Sequence, residues 1–298
     1  MARNKHIDTL KVAGGDYTVA RWDGGPDVLL AIHGITASHL AWPPVVDALA
    51  GDYTIYAPDL RGRGHSNALP PPYGLASHVA DLVALLDRHA VRDAVLVGHS
   101  LGAYIALEFA ARHPDRVRGL VLVDGGIALP LREGATPEQV IKGVLGPALA
   151  RLEMRFADGA AYRDFWRRHP AFQDEGAWNA YVEAYVDYDL CGEPGAMRSR
   201  VNVAAVQEDA RGPLAPHMVT LIDETRAPML LLTAPRGLLN QPQPLLPLAA
   251  VADKLAKIPH LRHVEIPDTN HYTIVTGSGR TRVAREIDAF VAGLPPRR

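Results

Sequence analysis

The chain of 298 residues has a single cysteine, Cys191. One thiol excludes an intramolecular disulfide and any cysteine cluster around a metal. An excess of charge of either sign is also missing: 31 Lys and Arg stand against 33 Asp and Glu, a net charge of −2. Without a basic stripe or a polyanionic tail, neither nucleic acid nor a membrane is an expected partner. No apolar stretch approaches the roughly 18 residues that a membrane helix needs. The opening MARNKHIDTLKVAGGDYTV lacks the apolar centre of a secretory signal. A soluble cytoplasmic protein is the resulting expectation. Internal repeats and low-complexity tracts are absent as well.

What the chain does have is a series of short apolar runs, most of them followed by helix-period patterns. The first four are DVLLAIHG (27–34), YTIYAPDL (53–60), DAVLVGHS (93–100) and GLVLVDGG (119–126). APMLLLTAP (227–235) and LRHVEIPDT (261–269) come later. Nearly continuous apolar runs fit strands covered on both faces, as in a parallel sheet. YTVARWD, near the start, alternates and reads as an edge or hairpin strand. SHLAWPPVVDALA, GLASHVADLVALLDRHA and LGAYIALEFAARHP carry apolar residues at helical spacing. Strand–helix alternation of this kind implies right-handed crossovers and a doubly wound, mostly parallel sheet.

The alternation stops between Gly126 and about Arg226. TPEQVIKGVLGPALARLEMRFA and EGAWNAYVEAYVDYDL are helical patterns, and no convincing strand lies among them. Nine of the chain's nineteen aromatics fall here, enough for the segment to bury its own surface. The expected organisation is a core of residues 1–126 and 227–298 with a helical cap, 127–226, placed like a lid. NQPQPLLP (240–247) reads as a Pro-rich loop, and GLPPRR as a terminal tail.

GHSLG, residues 98–102, is Gly-x-Ser-x-Gly at a strand-to-helix junction. Such a turn is tight enough to force its serine into a strained conformation with the hydroxyl projecting from the sheet edge. The helix that starts at Leu101 turns free N–H groups and the positive end of its dipole toward the same point. Ser100 is therefore the candidate nucleophile; the alternative is a helix N-cap serine between packing glycines. A serine hydroxyl needs a base, and the base needs an orienting group. Partners must lie at the same sheet edge, and His271, in IPDTNHYTIV after the last strand, meets that condition. His263 lies inside that strand, and His99 adjoins the serine with its side chain expected to point elsewhere.

Together LLAIHGITAS, DLRGRGHS, VLVGHSLGAYIALEFAARHPDRVRGLVLVD and DTNHYTI resemble the α/β-hydrolase fold family, within it serine esterases and lactonases with a helical cap. The resemblance covers most of residues 25–126 and 227–292. It implies a sheet of about eight strands with the cap inserted after the sixth. It also implies a cofactor-independent, metal-free hydrolysis through a Ser–acid–His triad. Members of the family commonly carry the acid after the strand that here reads APMLLLTAP, yet no Asp or Glu occurs between Thr225 and Ala252. Asp124, ending the strand after the nucleophile strand, is the candidate that keeps the Ser–acid–His order. Asp268, or a triad without a carboxylate, is the alternative. HGITAS (33–38) resembles the family's oxyanion loop, so the N–H groups of Ile35 and Leu101 are the expected oxyanion donors.

Thr36 is a candidate substrate contact with a side-chain donor, and Trp166, Trp178 and Tyr185 are candidate linings of the pocket under the lid. The implied partner is a small-molecule carboxylic ester or a bulky lactone. A non-catalytic ligand-binding protein on the same fold is the third reading, favoured by the missing acid. RGRGHSN lacks the third glycine and the acidic residue of a dinucleotide fingerprint. His260 and His263 fall on opposite strand faces and cannot share a metal.

Overall fold

The apolar runs become strands in the computed structural model, which describes residues 3–128, 131 and 133–296. The last two residues of the expected tail lie outside that range. In chain order the strands are β1 (Lys5–Val12), β2 (Gly15–Ile32), β3 (Tyr53–Pro58), β4 (Ala94–His99) and β5 (Val117–Val123). After them come the two-residue β6 (Leu190–Cys191) and β7 (Arg198–Ser199), then β8 (Met229–Thr233) and β9 (Leu261–Glu265). The helices begin with α1 (Pro43–Val46), α2 (Leu75–Arg88), α3 (Leu101–Arg112), α4 (Pro137–Glu153), α5 (Gly159–Arg167) and α6 (Ala180–Asp189). They continue with α7 (Val203–Asp209), α8 (Met218–Glu224), α9 (Leu248–Lys257), α10 (Thr273–Thr276) and α11 (Arg280–Ala292). No helix among the described residues is long and apolar enough to cross a membrane.

The main sheet runs β1-β2-β4-β5-β8-β9, with β3 paired to β2. β2 serves as two strands. Val19 to Trp22 pair with Pro58 to Ile55 in opposite senses, whereas Val28 to Leu30 run beside Thr54 to Tyr56 in the same sense. The expected eight-stranded sheet is thus realised with one strand doubling around β3. From the second half of β2 onward every pairing within this sheet is parallel.

The two faces of the sheet follow the period of two. Leu96, Leu120, Leu122 and Leu231 join one core with residues of α2 and α3. Val95, Val97, Val121, Val123 and Leu232 join the other with residues of α1 and α11. Both faces are buried, which is why these runs read as continuous hydrophobic segments rather than alternating ones.

Between β5 and β8 lie the cap helices. Thr136 and Gln139 cap α4 reciprocally, side chain to backbone. Tyr162, Trp166, Phe172, Val182, Tyr185 and Val186 form a separate aromatic-rich core that also takes in Ala41, with Tyr272 packed against it. Two departures from the sequence reading occur. A small antiparallel pair, β6 with β7, closes the cap where no strand is expected. The SHLAWPPVVDALA segment forms only a 3-10 turn, His39–Ala41, and the four-residue α1 beginning at Pro43. A proline ring preorganises a first turn and supplies no N–H to extend a helix backward.

The junction of β4 and α3 is where packing is tightest. A Cβ on Gly98 would lie 2.2 Å from the Gly102 carbonyl oxygen, and one on Gly102 would lie 2.1 Å from that of Ile32. Gly102→Ala is expected to destabilise the protein by about 3 kcal/mol, the upper end of overpacking, in urea unfolding. Gly143→Ala, in α4 with nothing within 4 Å of the added Cβ, should instead be neutral or stabilising by up to about 1 kcal/mol. Equal effects at the two sites would contradict this account.

Candidate active site

Ser100 occupies the junction with φ 55° and ψ −119°, between the end of β4 and the first residue of α3. Strain of that kind costs on the order of 1–3 kcal/mol and persists only where surrounding packing imposes it. Here the Ser100 N–H donates to the Val123 carbonyl at 2.9 Å, and a Cβ on Gly34 would already stand 3.2 Å from the Ser100 Cβ.

His271 lies in the loop between β9 and α10, 4% exposed. Its Nδ1 is 2.6 Å from Asp124 Oδ2. Asp124 is fully buried, and its other oxygen accepts the Ala234 N–H at 3.1 Å. The loop after β8, which brings no acid of its own, therefore contributes a backbone donor that orients the acid from β5. Asp268 is exposed; its backbone carbonyl accepts from Arg236 and Ser278. Ser100 and His271 line one cavity, together with Ile35, Thr36, His99, Tyr185 and Tyr272.

The oxyanion loop is held from several sides. His33 Nε2 accepts the Leu60 N–H at 2.9 Å, which leaves Nδ1 as the donor to the Gly34 carbonyl at 2.7 Å. In a trans peptide the carbonyl and the following N–H point in opposite directions. Fixing the Gly34 carbonyl on His33 thus turns the Ile35 N–H away from it. Among the described residues neither the Ile35 nor the Leu101 N–H has an acceptor. Arg63, fully buried, donates from Nε to the Ile35 carbonyl at 2.8 Å and also pairs with Asp209 of α7. Asp59 accepts from the His39 N–H and ring, both at 2.9 Å, and from the Tyr188 hydroxyl. Burial opposes the ionised form of Asp59, yet these bonds lower its pKa to about 2.

Two further histidines support the site without being expected to. His99 donates from Nε2 to the His271 carbonyl at 2.9 Å, with the rings 4.7 Å apart. Burial, and then the neighbouring His271, hold the His99 pKa well below the usual value. His33 is pushed down to about 3, chiefly by burial. Both stay neutral, so neither adds a second positive charge beside His271. Asn270 is the other missed residue. Its Oδ1 accepts the Tyr272 and Thr273 N–H groups, and its Nδ2 donates to the Ala171 carbonyl of the cap at 2.9 Å. The Asn-x-x-Thr spacing was a legible capping signal; the contact with Ala171 had none.

Of the expected linings, Thr36 and Tyr185 border the cavity at Ser100, and Trp166 borders a second cavity beside it. Trp178 borders none of the cavities around Ser100. The Arg167 guanidinium lies 4.9 Å from its ring centre, Phe172 meets it edge to face, and its Nε1 is 3.4 Å from Glu183. Its place is in the packing of the cap, which aromatic content alone does not distinguish from a pocket wall.

This architecture is the α/β-hydrolase fold. A family model described as alpha/beta hydrolase fold matches residues 27–148. The 2-(acetamidomethylene)succinate hydrolase of Mesorhizobium japonicum is 28% identical over 276 residues, 90% of each chain. Lipase LipV of Mycobacterium tuberculosis is 37% identical over 135 residues, 43% of this chain and 50% of the lipase. The chain thus spans about half the length of that relative. Among solved structures, E-2-(acetamidomethylene)succinate hydrolase superposes with a TM-score of 0.78 at 24% identity, covering 97% of this chain and all of the other. A thioesterase domain from the curacin biosynthetic pathway gives 0.72 at 21% identity, covering 97% and 99%. The curated relatives carry the names of a hydrolase and a lipase, and the solved structures share the fold.

The neutral histidines set a pH dependence. Unfolded, His33 titrates near 6.5; folded, it titrates near 3. Between these values the unfolded chain binds the extra proton, so stability present above pH 6.5 is lost as pH falls toward 3. Unfolding free energy measured from pH 7.5 to 4 should fall, with His33 alone contributing a slope that approaches about 1.4 kcal/mol per pH unit and His99 adding to it in the same direction. His33→Gln, less stable throughout, should lose less over this range. An identical loss in variant and wild type would remove His33 as the source.

Proposed function

We propose that the protein is a serine hydrolase that cleaves a small-molecule carboxylic ester through an acyl-enzyme intermediate. The observation that carries this reading is the 2.6 Å contact of Asp124 with His271, at the cavity that Ser100 and His271 share. In this mechanism Ser100 Oγ attacks the carbonyl carbon while His271 Nε2 takes its proton. Asp124 accepts from Nδ1–H, fixing the tautomer and balancing the imidazolium. The oxyanion receives the N–H groups of Ile35 and Leu101, rigid donors that need no reorganisation as charge develops. His271 then protonates the leaving group, and a water activated by the same ring releases the acyl group. Residues 1–126 and 227–298 would form the catalytic core, with 127–226 closing over the substrate.

Amide cleavage is the second reading, favoured by the relative that covers 90% of the chain and whose name carries an acetamido group. The mechanism differs only in the leaving group, so the choice is empirical. A bulky lactone would use the same residues, its leaving alkoxide staying tethered to the acyl group.

The test is hydrolysis of matched esters, amides and lactones by the wild type, Ser100→Ala and Asp124→Asn. Ser100→Ala should lose turnover on the order of 10⁶-fold, and Asp124→Asn roughly 10⁴-fold with the fold intact. Near-full activity of Asp124→Asn would remove it from the triad. Absence of hydrolysis together with no labelling of Ser100 by a fluorophosphonate would point to a ligand-binding protein.

A further inference from the structure

Two larger cavities adjoin the small one at Ser100, and Val144 and Leu245 border all three. They differ in chemistry. One, about 530 Å³, includes Ile35, Ser100 and Leu101 and continues along Tyr104, Ile127 and Val140, with no charged residue in its wall among the described residues. The other, about 500 Å³, lies past Tyr272 and includes Arg151, Arg168, His169 and Gln241, with no carboxylate in its wall among the described residues.

The polar chamber collects donors that lack acceptors. Arg151 is 3% exposed. Its Nη1 donates to Tyr162 and Asp189, while its buried Nη2 has no partner. Asp189 is itself saturated, accepting from Arg151, the Tyr162 hydroxyl and Ser199. It neutralises Arg151 but offers nothing further to the chamber. Arg168 is exposed and makes no ion pair among the described residues, so its charge is uncompensated. His169 Nδ1 accepts the Ala171 N–H, leaving Nε2–H as a donor. Burial raises the pKa of Tyr272, which borders the chamber, so it keeps its proton. Its hydroxyl has no hydrogen-bond partner among the described residues. A buried donor left unpaired costs about 1–3 kcal/mol, and native proteins rarely leave one without a use.

We infer that the chamber beyond Tyr272 is a subsite for a carboxylate carried on the leaving group, and that the chamber beside Leu101 receives an apolar acyl group. The direction rests on the serine-hydrolase reading: the acyl carbon must sit at Ser100 and the oxyanion donors, which border the apolar chamber. The departing atom must sit at His271, whose chain neighbour Tyr272 borders the polar one. The substrate class is then an ester or amide joining an apolar acid to a hydroxy or amino acid.

Binding to Ser100→Ala tests the subsite apart from the chemistry. Calorimetry would compare octanoyloxyacetate with its uncharged counterpart, octanoyloxyacetamide. The carboxylate is expected to bind about ten-fold more tightly at low salt, with the advantage shrinking as ionic strength rises. Arg168→Gln on the same background should erase most of it, and Arg168→Lys should retain it. Equal binding, tighter binding of the amide, or a carboxylate preference untouched by Arg168→Gln overturns the inference. Wild-type hydrolysis of p-nitrophenyl octanoate is read in parallel. Selective binding without Ser100-dependent hydrolysis refutes the hydrolase reading and supports the subsite; hydrolysis without selective binding does the reverse.

Discussion

The site depends on how closely the first turn of α3 lies against the strands beneath it. Backbone meets backbone there, with the hypothetical Cβ positions of Gly98 and Gly102 within 2.2 Å of carbonyl oxygens. That closeness leaves the chain no relaxed route from strand to helix, so Ser100 takes a left-handed conformation. From it follow the projection of the hydroxyl, the free Leu101 N–H beside it and the need for a glycine at position 34. A looser turn would have no reason to keep a serine strained.

The electrostatics around this point show a consistent division. The carboxylate against the base is Asp124, with its two oxygens on His271 and the Ala234 N–H. The adjoining histidines, His33 and His99, are driven neutral by burial and serve as directional donors and acceptors. A neutral imidazole can receive one backbone N–H and donate to a carbonyl, which a carboxylate or an ammonium cannot do. This suits a scaffold that must hold peptide groups in place without adding charge beside His271.

Much of the arrangement was legible from the chain. Strands buried on both faces announce themselves as continuous apolar runs, and Gly-x-Ser-x-Gly at a strand end singles out Ser100. The gap in acids from Thr225 to Ala252 directed attention to Asp124, and the structure brings Asp124 onto His271. The illegible parts depend on distant segments meeting. Arg63 and Asp209 are 146 positions apart, and no local pattern pairs them. His99 was read as pointing elsewhere because its neighbour in space, the His271 carbonyl, has no trace in its own segment. Trp178 was misplaced for the opposite reason: an aromatic in the cap declares that it will pack, not on which side.

Two of the bonds described above cross between cap and core. Arg63, which holds the Ile35 carbonyl, completes its charge on Asp209, and Asn270, which caps the turn after His271, spends its amide on Ala171. The cap is therefore not an interchangeable module. A cap grafted from a relative must bring a carboxylate to Arg63 and a carbonyl to Asn270 at these same points. Otherwise the hybrid carries an uncompensated buried guanidinium, a loss on the order of 3–5 kcal/mol, next to the loop it was meant to leave intact.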